Sequence, residues 1–292
     1  MRCVLTAWVA LLVGFVGGRA AAAPAWWRVS RGASEVWILG VPTVAPRGMT
    51  WDQRVAEQRL RGAGSLIISP RPRGGLAAFG GLLAAAGSLR SAEPMEGALP
   101  APLRRRFVAV RSAIGKDAGH YAGWKPAVAG TFLQADFLKA HDLEAGATEA
   151  SVRKIGRRAG VREAPAGAYD TAPMIAAAGE LGASGQADCL SSELHGLEPG
   201  PQPLRGVAQS WARGEISPVA PISPIDQACL SAFPEMKSLA DRNLAADSGA
   251  VVAALGRSGH AVAVFDLRSL TMTGGILERL RARGLAVSGP QP

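Results

Sequence analysis

The chain has 292 residues, of which 48% are hydrophobic and 19% charged, with 32 Lys and Arg against 23 Asp and Glu. That length and apolar content point to a globular chain with a core, with disorder at most at its ends, and allow one large domain or two small ones. The net charge of +9, carried largely by Arg, favours anionic surfaces, yet no basic segment is interleaved with aromatics as a nucleic-acid site would require.

Residues 1–22 read as a secretory signal peptide: Arg2 supplies the positive start, Val4 to Val16 the apolar run, and Ala20 to Ala23 the small residues that suit signal peptidase. Cleavage is expected after Ala22, or one residue later, where Pro24 makes it less favourable. Loss of Arg2 and Arg19 then lowers the formal charge to about +7. The apolar run is too short for a transmembrane helix, and no later segment is long and apolar enough to be one. No cysteine stands beside the small residues, so a lipid anchor is not indicated. The expected destination is the periplasm or the cell exterior. There the basic surface is either a solvated Arg-rich face or a contact for membrane headgroups, acidic polysaccharide or cell-wall polymers. Cys3 leaves with the signal. Cys189 and Cys229 remain, and an even pair in an oxidising compartment favours a disulfide over two separate buried thiols. No CxxC motif suggests redox chemistry.

In chain order, Trp27 to Val29 and Val36 to Leu39 read as strands on either side of a turn at Ser30 to Ser34. Trp51 to Leu60 is spaced as a helix, and Ser65 to Ser69, bounded by Gly64 and Pro70, as a buried strand. Leu76 to Ala86 reads as a helix weakened by Gly80-Gly81. Pro102 to Ile114 is a helix with Leu103, Phe107, Val110 and Ile114 inward and Arg104, Arg105, Arg106 and Arg111 mostly on its other faces. A segment from Trp124 to Leu138 offers Phe132, Leu133 and Phe137 to the core. Thr148 is expected to cap a helix through Arg158, and Val161 to start a short strand. Asp170 or Thr171 caps the next helix. Gln186 to His195 and Leu204 to Gly214 follow as helices, then a Pro-rich loop at Pro218 to Pro224. Met236 to Gly256 is the longest helix. Ala261 to Phe265 is a strand, Gly275 to Arg283 a helix ended by Gly284, and Leu285 to Val287 the last strand.

Strands alternate with helices at both ends around a helical middle. The expected class is α/β (α+β): one domain over residues 23–288, with a central mixed β-sheet flanked by helices and the first and last motifs adjacent in it. Residues 289–292 are expected to form a disordered tail.

The stretch Trp27 to Trp51, WRVSRGASEVWILGVPTVAPRGMTW, resembles the opening motif of the TraB/GumN family, W-x-V…V-x-L-L-G-T-x-H-x-x-P-x-G-x-x-W. Gly40, Pro46, Gly48 and Trp51 match it. Ala208 to Gly214 resembles that family's A-x-x-W-x-x-G segment. The resemblance implies the same α/β architecture and a divalent-metal hydrolytic site, built from a histidine after the first strand, a glutamate after the next, an Arg-Asn pair on the long helix, and a second histidine before the last helix. Neutral imidazoles and a carboxylate hold a metal that lowers the pKa of bound water.

Carried across by position, the first histidine falls on Thr43, the glutamate on Ser69 and the second histidine on Ser269. Arg242-Asn243 survives intact, and Arg268 adds a positive charge beside the last position. Hydroxyls are weak metal ligands, and a neighbouring cation opposes a divalent ion. His120, His141, His195 and His260 show no metal-ligand spacing, and neither Ser69 nor Ser191-Ser192 lies in a GxSxG elbow. No glycine pair is followed by the Lys of a phosphate loop.

The reading is therefore an exported pseudoenzyme without catalytic residues, metal or cofactor. It keeps a pocket at Gly40, Thr43, Ser69, Arg242, Asn243 and Ser269 for a small or anionic ligand, or it meets an anionic envelope partner. Arg242 has a second role open to it, tying its helix to strand-end carbonyls. The alternative function is a metal-dependent hydrolase or peptidase with displaced ligands.

Overall fold

A computed structural model describes residues 23–73, 87–216 and 222–290. Its first motif is an antiparallel hairpin, β1 (Trp26–Arg31) and β2 (Ser34–Val41), closed by a two-residue turn in which Gly32 takes φ +57°. The strands are longer than Trp27 to Val29 and Val36 to Leu39, because a turn this tight lets pairing run out to Arg31 and Ser34. β3 (Val44–Pro46) follows, then α1 (Arg54–Leu60) and β4 (Leu66–Ile68). α1 begins three residues later than the expected Trp51, after the Asp52 carboxylate has accepted the Arg54 N–H at 3.0 Å. After β5 (Arg71–Pro72), the helix expected at Leu76 to Ala86 falls outside the described residues.

The middle of the chain is mainly helical: α2 (Met95–Ala98), α3 (Ala101–Ala113) and α4 (Pro126–Ala140). β6 (Leu143–Ala145), α5 (Ala147–Arg158), β7 (Glu163–Pro165) and β8 (Ala168–Tyr169) come next. α6 (Ala172–Glu180), α7 (Ala183–Leu197), α8 (Gln202–Ala212) and α9 (Pro224–Ala232) complete it. Here Phe107, Leu133, Phe137, Leu190 and Leu194 form a core of their own. Phe132 does not join it. It sits about 100° round α4 from Leu133, is 41% exposed, and stacks on Trp124 at 4.9 Å between ring centroids. Nor are all the arginines of α3 solvated: Arg111 is buried against Glu96 at 2.8 Å, and Arg106 pairs with Glu198 at 2.6 Å. Thr148 does not cap α5. Gly146, in the left-handed region at φ +70°, holds that position, and Thr148 is buried in the first turn.

The chain ends with α10 (Pro234–Ala254), β9 (His260–Asp266), α11 (Leu267–Thr271), α12 (Ile276–Ala282) and β10 (Ala286–Ser288). Six strands make a mixed sheet in the order β10-β1-β2-β9-β4-β7. β2, β9, β4 and β7 run parallel, and β1 is antiparallel to both β2 and β10. The first and last motifs are thus adjacent, with Val29 opposite Val287 and Leu39 beside Val264. The chain end is tied to β1, where the Trp27 indole N–H donates to the Pro290 carbonyl at 3.0 Å. Val36, Ile38, Leu66, Ile68, Val262 and Val264 are fully covered, as strands buried on both faces require. A disulfide joins Cys189 on α7 to Cys229 on α9.

Candidate functional site

In a parallel sheet the carboxyl ends of the strands open onto the loops that bind and react. Here that edge is formed by β2, β9 and β4, and it carries the positions singled out in the sequence. Gly40, near the end of β2, is packed hard. A Cβ there would lie 2.7 Å from Leu267 Cδ1, 3.0 Å from Leu270 Cδ2 and 3.2 Å from the Trp27 ring. Its carbonyl accepts the indole N–H of buried Trp211 at 2.6 Å. Trp211 also meets Trp51 edge to face, 5.3 Å between centroids. The three segments Gly40, Trp51 and Ala208 to Gly214 therefore form one packed joint.

Thr43 follows β2, and its hydroxyl donates to Asp266 Oδ2 at the end of β9. The other oxygen of Asp266 accepts the backbone N–H of Ser269 at 3.0 Å and caps α11. One carboxylate thus bridges two of the singled-out positions. Ser69, just after β4, donates to Asp247 Oδ2 on α10 at 3.1 Å. Asp247 is only 3% exposed, and its Oδ1 has no partner among the described residues. Burial is the main cause that pushes this carboxyl up to about 7, with the charge of Glu149 adding to it and the Ser69 hydrogen bond opposing it.

Asn243 precedes Asp247 by one helical turn. Arg242 does not join Thr43 or Ser69. It is exposed, donates to Ser238 of its own helix at 2.6 Å, and faces a cleft of about 620 Å³ shared with Arg73, Tyr169, Asp170 and Glu235. Thr43, Ser69 and Ser269 are not among the residues lining that cleft. Asp170 is already engaged, accepting the Ala172 N–H at 2.9 Å. Neither Arg73 nor Arg242 has a carboxylate partner among the described residues.

Asp247 and Asp266 carry this edge although no motif in the sequence singles them out. Both left a signal. Asp266 stands between a strand and a short helix, the usual place for a capping side chain. Asp247 falls on the Leu244, Val251 and Leu255 stripe of α10, where an apolar residue belongs.

The donors at this edge do not fit a divalent cation. Thr43 and Ser69 offer neutral hydroxyls whose hydrogens go to carboxylates, and the carboxyl of Asp247 is held toward its neutral form. Among the described residues no three His, Cys, Asp or Glu side chains come together as a metal group. His260, at the opposite end of β9, is bonded to the Arg59 carbonyl at 2.9 Å, and His120 lies with Tyr121 on Asp136.

A sequence profile of the TraB/PrgY/gumN family matches residues 25–289. The chain belongs to that family. Neither a curated protein nor a solved structure matches it. The matched span takes in the joint at Gly40, Trp51 and Trp211 and both strand-end segments that carry Thr43 and Ser269.

Proposed function

We propose that the chain is an exported, non-hydrolytic member of the TraB/PrgY/gumN family that acts by binding a small or anionic ligand or an envelope partner. One observation carries this reading: the side chains at the strand ends are paired with one another, Thr43 with Asp266 and Ser69 with Asp247. Groups that satisfy each other are poorly placed to coordinate a metal or activate water. Export is supported by the signal-like order of residues 1–22 and by a disulfide of the kind that persists in oxidising compartments. An anionic ligand is supported by Arg73 and Arg242, two guanidinium groups facing one cleft without carboxylate partners among the described residues.

The test is turnover. The mature protein, supplied in turn with Zn²⁺, Mn²⁺ and Co²⁺, is expected to leave peptide and ester substrates intact. Chelator-sensitive cleavage that disappears in Asp247→Asn would overturn the reading.

A second reading, a metal-dependent hydrolase or peptidase with displaced ligands, is favoured by Asp247 itself. A buried carboxyl poised near neutral pH, with one oxygen unpaired among the described residues, is the type of group that serves in general acid–base work. That same cleavage, lost with Asp247→Asn, is what this second reading expects.

A further inference from the structure

A second groove, sharing no lining residue with the Arg242 cleft, runs between the segment that follows β3 and the side of α5, with a volume of about 630 Å³. One wall is Pro46 to Gln53, which brings the half-buried indole of Trp51 beside Thr50 and Gln53. The other wall is a single stripe of α5, Ala147, Ser151 and Lys154, spaced i, i+4 and i+7 over roughly 10 Å of helix. The groove is anchored to the sheet edge, because the Gly146 N–H that opens α5 donates to the Thr43 carbonyl at 2.9 Å.

Three features say what the groove is built to meet. Its polar groups are underused: Gln53 and Ser151 face each other at 3.5 Å, the outer limit of a hydrogen bond, so both keep capacity for a ligand. Two buried polar atoms in its walls, the indole Nε1 of Trp51 and Oγ1 of Thr148, have no partner among the described residues, and Thr148 is only 3% exposed. Its charge is also uneven. Arg157 shares Glu163 with Arg153 and Arg71, at 3.1, 2.9 and 3.8 Å, and Lys154 has no carboxylate partner among the described residues, so one end of the groove carries unopposed positive charge. Glu144, at the other wall, offers an acceptor for hydroxyl groups.

An aromatic ring, an amide, two hydroxyls and one free ammonium, set along a groove, suit a ligand rich in hydroxyls and carrying a carboxylate. We propose that this groove is a saccharide site for an oligosaccharide containing uronic acid. The indole of Trp51 takes the apolar face of one sugar ring. Gln53, Thr50 and Ser151 take its hydroxyls, and Lys154 takes the carboxylate. The proposal goes beyond the binding reading above and stands apart from the question of hydrolysis.

The experiment is calorimetric titration of the mature protein with trigalacturonate, its methyl ester and inorganic sulfate. In parallel, the indole N–H resonances are followed by NMR. The acid is expected to bind one to one and to move the Trp51 resonance. The ester, which keeps the hydroxyls and loses the charge, is expected to bind about tenfold or more weakly, as loss of a charge-assisted hydrogen bond implies. Sulfate alone is expected not to move that resonance. Lys154→Ala, at an exposed position, should weaken the acid toward the level of the ester. Ser151→Trp, which fills the groove, should abolish binding, with a melting curve confirming that it folds. Arg242→Glu, in the other cleft, should change nothing. Absence of saturable binding would overturn the proposal. So would equal affinity for acid and ester, displacement of the acid by sulfate, or binding indifferent to Lys154→Ala and lost only with Arg242→Glu. Each of these outcomes leaves the metal and turnover tests unaffected, so failure here and failure of the non-hydrolytic reading are read separately.

Discussion

Ser69 at the end of β4 donates its hydroxyl hydrogen to Asp247 on α10, across 3.1 Å in space and 178 residues of chain. One oxygen of the buried carboxyl accepts that bond, and the other has no partner among the described residues. The environment favours the neutral acid, so the folded protein holds a proton that the unfolded chain would release.

The sign of the resulting pH dependence follows. The folded-state value of Asp247, about 7, lies above the ordinary aspartate value of 3.8. Its contribution to stability is therefore fully present below about pH 4 and is lost as pH rises through 7. The full change is on the order of 4 kcal/mol, as an upper figure for one buried group. Asp247→Asn should remove this slope. Urea unfolding of both proteins from pH 4 to pH 8 checks it: the variant should gain on the wild type as pH rises. A constant difference across that range would contradict the assignment.

Removing the Ser69 partner acts in the same direction. Ser69→Ala leaves Asp247 with neither oxygen bonded, which costs about 1–3 kcal/mol for the unsatisfied group. The loss should be larger at pH 8, where the carboxyl is charged, than at pH 5.

Gly40→Ala tests the packed joint. The new methyl would meet Leu267, Leu270 and Trp27 at 2.7–3.2 Å, and Leu270 and Trp27 are almost fully buried and cannot easily give way. Overpacking of this kind costs about 1–3 kcal/mol, read as a fall in Tm. Trp211→Phe approaches the same joint from the other side. It keeps most of the ring but leaves the Gly40 carbonyl without its 2.6 Å donor, a loss of about 1–3 kcal/mol.

The bridge between Cys189 and Cys229 closes a span of 40 residues. Cys189→Ser with Cys229→Ser should lower stability by about 2–4 kcal/mol. Thiol labelling of the denatured, unreduced protein should find neither cysteine.

Processing gives one more expectation. Intact mass of the exported protein should place its first residue near Ala23, and a soluble species that begins at Met1 would contradict it.

Most of the sheet was legible in the sequence, because β2, β4 and β9 are apolar, aliphatic-rich runs between breakers, too short for the usual buried helix. The family motif was legible too, since Gly40, Pro46, Gly48 and Trp51 stand at fixed spacing. The short pairs β3–β6 and β5–β8 were not. Two- and three-residue strands carry no periodicity and exist only because the chain brings Val44 to Ala145 and Arg71 to Ala168. At the candidate site, Thr43, Ser69 and Ser269 stand out by position in the sequence, but their hydrogen-bond partners do not. Asp247 lies far along the chain from Ser69, and only the fold puts them together. Arg242 was misleading for the opposite reason: it neighbours Asn243 in sequence, yet on a helix adjacent residues point about 100° apart, and this one faces a different cleft.

Hydroxyl–carboxylate pairs, Thr43 with Asp266 and Ser69 with Asp247, thus stand at the strand ends in place of a metal group. Calorimetric titration of the mature protein with Zn²⁺, Mn²⁺ and Co²⁺ at pH 7.5 tests this most directly, since it reads coordination and needs no substrate. The account predicts no one-to-one binding in the micromolar range, and no change on Asp247→Asn or Asp266→Asn. Stoichiometric micromolar binding that both substitutions abolish would contradict it.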